Sequence, residues 1–390
     1  MANSMATVVG SRAVTLKRAI LIAAVFEFLG AFLVGSHVTN TVRKGIIDPL
    51  FFVFQPELLA YGMFSALLAA AIFQHMATFF GFPVSTTHAI VGSLFGFGLI
   101  GAGVSSVNWS KIMVISSGWI ISPLLGAFAA FSLFQIIRKF ILAKKNPYQA
   151  AIKVAPYLVF VQFTTIVLSI IYKGLKNLHL DFPFSQALLI ACSVGLFSAY
   201  LTWSLIKQDT ALPDQKGQYV KVENIFARLQ VFTACYIAFA HGANDVANAI
   251  GPVAAIFSIV QTKTIIMKVG VPSWILMLGG FGIVVGLSTY GYKVIETIGK
   301  KITEITPTRG FAAEFATATT VLVFSKLGIP ISTTHTMVGA VIGVGFARGI
   351  ATLNLRVIRN IFTSWLVTIP AAAILTVIIY KIILLFPPSL

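Results

Sequence analysis

Gly81-Phe82-Pro83-Val84-Ser85-Thr86-Thr87-His88-Ala89-Ile90-Val91-Gly92 returns later in the chain as Gly328-Ile329-Pro330-Ile331-Ser332-Thr333-Thr334-His335-Thr336-Met337-Val338-Gly339. The shared pattern is Gly-x-Pro-x-Ser-Thr-Thr-His-x-x-Val-Gly, and a polar cluster repeated inside an apolar chain reads as a pair of binding half-sites. The match extends past the motif: Ala2-Asn3-Ser4 aligns with Ala247-Asn248-Ala249, and Gly96-Phe97-Gly98 with Gly343-Val344-Gly345. The chain therefore divides into a first repeat at 1–141, connecting helices and a loop at 142–227, and a second repeat at 228–390.

The surroundings of the motif set the solvent. Hydrophobic residues make up 57% of the 390 and charged residues only 10%, with a mean hydropathy of +0.92. That describes an all-α polytopic membrane protein of about 11–12 membrane segments. A soluble core cannot absorb so much apolar surface. The formal charge of +17 would point to nucleic acid in a soluble chain, but here the basic residues sit in loops, as the positive-inside rule expects. Arg138, Lys139, Lys144, Lys145 and Lys153 mark one cytoplasmic loop, and Lys207 to Arg228 a second. Cys192 and Cys235 lie inside apolar segments, where they pack as small residues, so no disulfide framework is implied. Met1 to Arg18 lack the ordered parts of a cleavable leader.

The segments after each Ser-Thr-Thr-His are short for a crossing, which takes about 20 residues, so discontinuous or re-entrant helices are expected. Pro83 and Pro330 followed by Ser and Thr read as helix beginnings. An exposed helix N-terminus offers free N–H groups and a positive dipole end; the hydroxyls of Ser85, Thr86, Thr87, Ser332, Thr333 and Thr334 add donors, a fit for a tetrahedral oxyanion. The bland alternative is that such hydroxyls bond their own helix backbone or glue helices together. Duplication weighs against it.

His88 and His335 sit three residues after a serine, yet no acid orients them and a hydrolase does not need two copies, so packing near the site is the better reading. The paired glycines Gly92, Gly96 and Gly98, and Gly339, Gly343 and Gly345, are read as close-approach positions between helices.

A second polar cluster runs from His241 to Pro252 between apolar spans, read as Leu229 to Ala240 and Val246 to Val260. Its carboxylate, amide oxygens and unwound backbone carbonyls suit a small alkali cation such as sodium; no thiolate or paired-imidazole pattern for a transition metal is present. Glu27 and Glu314 lie mid-span, where an unpaired carboxylate is costly; each reads as a cation ligand, a proton carrier or a buried acid paired with a helix donor. A nearby carboxylate accepts a hydrogen bond from protonated phosphate but repels sulfate, so Asp245 favours phosphate.

These residues resemble the inorganic phosphate transporter (PiT) family. Gly242-Ala243-Asn244-Asp245-Val246-Ala247-Asn248 is similar to its G-A-N-D-V-A-N signature, both Pro-x-Ser-Thr-Thr-His segments to its other hallmark, and Phe26-Glu27 through Arg43-Lys44-Gly45-Ile46-Ile47-Asp48 to its first half. The resemblance implies inverted repeats and cation-coupled symport of inorganic phosphate, with sodium or protons, by a multi-pass protein of the plasma or inner membrane. Proton coupling, and sulfate or another oxyanion on the same fold, are the alternatives. It makes Ser85, Thr86, Thr87, Ser332, Thr333, Thr334, Asn3 and Asn248 the phosphate set, and Asn244, Asp245, Asn248, Asn3, Glu27 and Glu314 the sodium set. No cofactor beyond the coupling ion and no nucleic acid is implied; the partners are phosphate, sodium or protons and the bilayer, and a homodimer is compatible. The family carries the signature in both halves, whereas here the first copy begins within itself, with Met1 aligned to Val246, so an internal start of the reading frame is expected.

Overall fold

The computed structural model describes residues 2–35, 46–174, 182–206, 214–266, 271–326 and 331–387. Met1, Arg43 to Gly45, Lys207 to Pro213 and Gly328 to Pro330, all used in the sequence reading, lie outside the described residues. A 3-10 turn, Ala2–Met5, leads into α1 (Ala6–Gly10) and α2 (Leu16–Val34). Then follow α3 (Pro56–Phe79), α4 (Thr86–Gly101), α5 (Trp109–Ile137), α6 (Pro147–Gly174) and α7 (Phe184–Ile206). The remaining helices are α8 (Gln215–Thr262), α9 (Ser273–Glu296), α10 (Pro307–Lys326), α11 (Thr333–Phe346) and α12 (Leu355–Leu385). Among the described residues there is no strand, only an isolated bridge between Ile47 and Val107.

Seven of these helical stretches are long and apolar enough to cross a membrane. Their outer faces carry residues such as Leu189, Phe197 and Leu366, exposed as a bilayer requires. In α2 the charges of Lys17, Arg18 and Glu27 interrupt an otherwise apolar run. The 16-residue α4 and 14-residue α11 reach about 24 and 21 Å at 1.5 Å per residue, short of a hydrocarbon core of about 30 Å. They are discontinuous helices, as expected. One expectation fails. The two spans read on either side of His241 are a single 48-residue helix, α8, which also runs through the expected boundary at 228. Of the polar residues there, Asp245 and Asn248 bond to hydroxyls of α4, and the α8 backbone stays intact, even with Pro252 inside it.

α3 with α4, and α10 with α11, form two helical hairpins, and each packs on the long helix that follows the other. α4 lies against α12 and α11 against α5. Gly92 faces the Ile369 carbonyl and Gly96 that of Ala373, while Gly339 faces the Pro123 carbonyl and Gly343 that of Ala127. The two sets correspond by nearly the same shift along the chain. A side chain at Gly339 would overlap the Pro123 backbone outright, so the helices approach as only glycine permits.

The bases of the hairpins are built alike. After α4, Gly103 turns with φ 84° and Asn108 donates its backbone N–H to Ile46 O at 3.0 Å; after α11, Gly349 turns with φ 110° and Asn354 donates to Ile302 O at 2.9 Å. Asn108 and Asn354 then cap α5 and α12 with their side chains. α5 starts at the first base and ends where Arg138 reaches the Ala347 carbonyl at 3.3 Å, at the second. The 29 residues of α5 span about 43 Å, so the two bases lie at opposite ends of the molecule.

Candidate functional site

The tips of both hairpins meet in the middle of the bundle. Ser85 has φ −90° and ψ 125°, and its Oγ accepts the His88 N–H at 3.3 Å; Ser332 has φ −89° and ψ 113° and accepts the His335 N–H at 3.2 Å. Each is an N-cap, as the Pro-x-Ser-Thr-Thr pattern predicts. A cap of this kind satisfies one orphan amide and leaves those of the first two helical positions without an intrahelical partner. The caps adjoin: the His88 and His335 rings are 4.2 Å apart between centroids, and the Trp365 indole donates to the Pro83 carbonyl at 2.9 Å.

Two asparagines bridge the halves in a reciprocal pattern. Asn3, beside α1, donates to Thr334 Oγ1 at 2.6 Å, while Asn248 of α8 donates to Thr87 Oγ1 at 3.3 Å and lies 3.5 Å from Thr86 Oγ1. The Thr86 hydroxyl donates to Asp245 Oδ2 at 3.1 Å, and the Asn244 amide to Asp245 Oδ1 at 3.1 Å. Asn3, Asn248, Ser85, Ser332, Thr333 and Thr334 are all buried, with Thr86 and Thr87 partly so. The structure thus gathers Asn3, Asp245, Asn248 and the serines and threonines of both motifs into one cluster, with Asn244 at its edge.

The two buried glutamates do not share that position. Glu27 on α2 accepts the Ser4 hydroxyl at 2.9 Å. His241 stands between Glu27 and Asp245: its Nδ1 is 3.5 Å from Glu27 Oε1 and its Nε2 3.1 Å from Asp245 Oδ2, close contacts that are out of line for good hydrogen bonds. Glu314 on α10 lies in a separate cluster, where one oxygen accepts the Thr7 hydroxyl and the Gln230 amide at 3.0 Å and the other accepts the Thr233 hydroxyl. The Ser11 hydroxyl in turn donates to Gln230 Oε1 at 2.7 Å. Of the readings open for this acid, the geometry favours one: a carboxylate tying α1, α8 and α10 together. Glu314→Gln exchanges an acceptor for a donor facing donors, and is expected to destabilise the protein by about 1–3 kcal/mol. The check is the unfolding midpoint in detergent; an unchanged midpoint would remove the tie.

Sequence reasoning missed Thr7, Gln230 and Thr233, because a threonine or glutamine in an apolar span usually bonds its own helix or a neighbour. It also missed two tryptophans. Trp119 packs on His88 at 3.8 Å and Trp365 stacks on His335 at 3.6 Å between centroids, so four rings form a plug where the hairpin tips meet. The signal was available: the shift that aligns α5 with α12 also aligns these two residues. The packing reading of both histidines holds.

From the cluster a cavity of about 510 Å³ extends between α3 and α9. Asn3, Thr86, Asp245, Asn248 and Thr334 form its polar end; Gln74, His75 and Thr289, in the last turns of α3 and α9, also line it.

A helical bundle with two broken helices meeting at buried hydroxyls, amides and a carboxylate, and with a cavity leading to them, has the build of a membrane carrier for a small polar solute. The family model described as the phosphate transporter family matches residues 1–376, and the chain belongs to that family. It is a multi-pass membrane transporter and not an enzyme. A chain of Pyrococcus abyssi provisionally named a phosphate permease is 47% identical over 382 residues, covering 98% of this chain and 93% of that one. The inorganic phosphate transporter 2-1, chloroplastic, of Arabidopsis thaliana is 45% identical over 403 residues, covering 97% of this chain and 68% of its own length. A solved structure described as the sodium-dependent phosphate transporter superposes with a TM-score of 0.89 at 43% identity, covering 99% of this chain and 94% of the other.

Proposed function

We propose that this protein carries inorganic phosphate into the cell across the plasma or inner membrane together with sodium, by alternating access between two inverted repeats, 1–141 and 228–390. The reciprocal bridging of the caps by Asn3 and Asn248 carries the reading. It supports a reading in which the paired helix N-termini, with the hydroxyls and the two amides beside them, serve as a donor-rich cradle for a tetrahedral oxyanion. Among the described residues, no Lys or Arg belongs to the cluster. The positive field must therefore come from helix ends and from the coupling cation, for which Asp245, Asn244 and the amide oxygens of Asn3 and Asn248 offer hard oxygen ligands. Anion and cation then bind with reciprocal linkage. The name of the superposed structure supports sodium. Inversion is supported by the placing of the hairpin bases at opposite ends of α5; with the basic loop after α5 read as cytoplasmic, the second base belongs to that side.

Phosphate is favoured over sulfate because Asp245 can accept the proton that hydrogen phosphate retains. Proton coupling is the second reading, and Glu27, His241 and Asp245 in a row are the observation that favours it. Replacing sodium by choline at fixed pH separates the two. Uptake of labelled phosphate into proteoliposomes is expected to fall to background; unchanged uptake would sink sodium coupling.

A further inference from the structure

The cavity is far larger than its polar end requires. Five polar residues gather at that end, which is all a five-atom oxyanion can occupy, while Leu67, Ala71, Val253, Leu278 and Ile283 form an apolar wall beyond it, beside Gln74, His75 and Thr289. On α9, Gly282 and Gly286 also line it, and a Cβ added at either would meet nothing within 4 Å. A volume of about 510 Å³ falls in the range of about 300–1,000 Å³ seen for small-molecule sites, which combine apolar walls with a few convergent polar groups. Phosphate alone leaves that wall uncovered. A phosphoryl group bearing a compact apolar substituent would cover it.

We propose that the cavity between α3 and α9 is a binding site for soluble phosphonates and phosphate monoesters with a small apolar substituent. It rests on the phosphate-site reading above: the phosphoryl head sits at Asn3, Thr86, Asn248 and Thr334, and the substituent lies on the apolar faces of α3 and α9. Such a ligand arrests the carrier. The head can fill the cradle, but the four rings of Trp119, His88, His335 and Trp365 leave the substituent no way past the hairpin tips, and the tips cannot close over it from the cavity side.

The test compares phenylphosphonate with methylphosphonate as inhibitors of labelled phosphate uptake in phosphatidylcholine proteoliposomes. Burying one phenyl ring should make phenylphosphonate about ten- to a hundredfold more potent. Gly282→Leu and Ala71→Phe fill the apolar part of the cavity and should reduce that preference to about twofold, leaving methylphosphonate as potent as before. Equal potency of the two compounds on the native protein, or a preference unaffected by both variants, overturns the proposal. Should either variant fail to elute as a monodisperse peak, thermal shift on the native protein decides: phenylphosphonate must raise the unfolding midpoint at lower concentration than methylphosphonate. Phosphatidic acid added to the vesicles distinguishes a lipid source, and loss of uptake on its addition alone would overturn the soluble-ligand assignment. The underlying site fails separately, if Asn248→Ala leaves the phosphate concentration for half-maximal uptake unchanged.

Discussion

Asp245→Asn is expected to lower phosphate uptake by about a hundredfold or more while leaving the protein folded. The side chain accepts one hydrogen bond from Thr86 and another from Asn244, and faces His241 Nε2 at 3.1 Å. An amide has the same shape, so packing survives. It carries no charge, however, and one of its two positions becomes a donor pointed at a donor. The lost charge is the one the coupling cation and the proton of hydrogen phosphate would meet; hydrogen bonds and contacts to a charged group contribute about 1.5–3 kcal/mol each, and tenfold corresponds to about 1.4 kcal/mol, so weakening both ions together reaches that fold-change. The measurement is initial uptake in proteoliposomes matched for protein content, with the exposed Glu57→Gln as a control that should behave as the native chain does. Uptake near the native level in Asp245→Asn would move the cation and anion chemistry elsewhere.

The second large effect falls on assembly. Gly339→Val should prevent recovery of a monodisperse protein. Its Cβ would coincide with the Pro123 carbonyl on α5, which is backbone and cannot swing aside. The cost lies at or beyond the upper end of the roughly 1–3 kcal/mol usual for overpacking. A graded series sharpens the test. Gly92→Ala, where an added Cβ would lie 2.7 Å from the Ile369 carbonyl, should be damaging as well, whereas Gly286→Ala, with nothing within 4 Å, should be tolerated. Size-exclusion profiles in detergent supply the ranking, and equal tolerance of Gly339→Val and Gly286→Ala would contradict the close approach of α11 to α5.

Much of this was legible in the residues. The duplicated Pro-x-Ser-Thr-Thr-His fixes two helix starts because capping is a local event, and both serines do cap. Asn3 could be paired with Asn248 from the alignment of the halves. The continuity of α8 could not be read from sequence, because His241, Asn244, Asp245 and Asn248 form as dense a polar run in a helix as in a break. Only the facing hydroxyls of α4 show where Asp245 and Asn248 are satisfied. For Glu314 the expense of a buried acid was legible without its remedy, since Thr7 and Thr233 come from elements far apart in the chain. Distant pairings of this kind leave no periodicity behind. The ring plug was within reach, as the two tryptophans obey the repeat.

The exchange of partners between the hairpins bears on how the protein is made. Gly92 meets Ile369, so the first hairpin enters the membrane long before the helix it docks on has been synthesised. At about 5–20 residues per second the wait is on the order of tens of seconds. Over that interval the glycine-bearing face of α4 and the open amides of its tip have no native neighbour. The cluster at the hairpin tips is therefore complete only with the last helix, and an insertion partner able to shelter a short, half-polar hairpin has its longest task at residues 56–101.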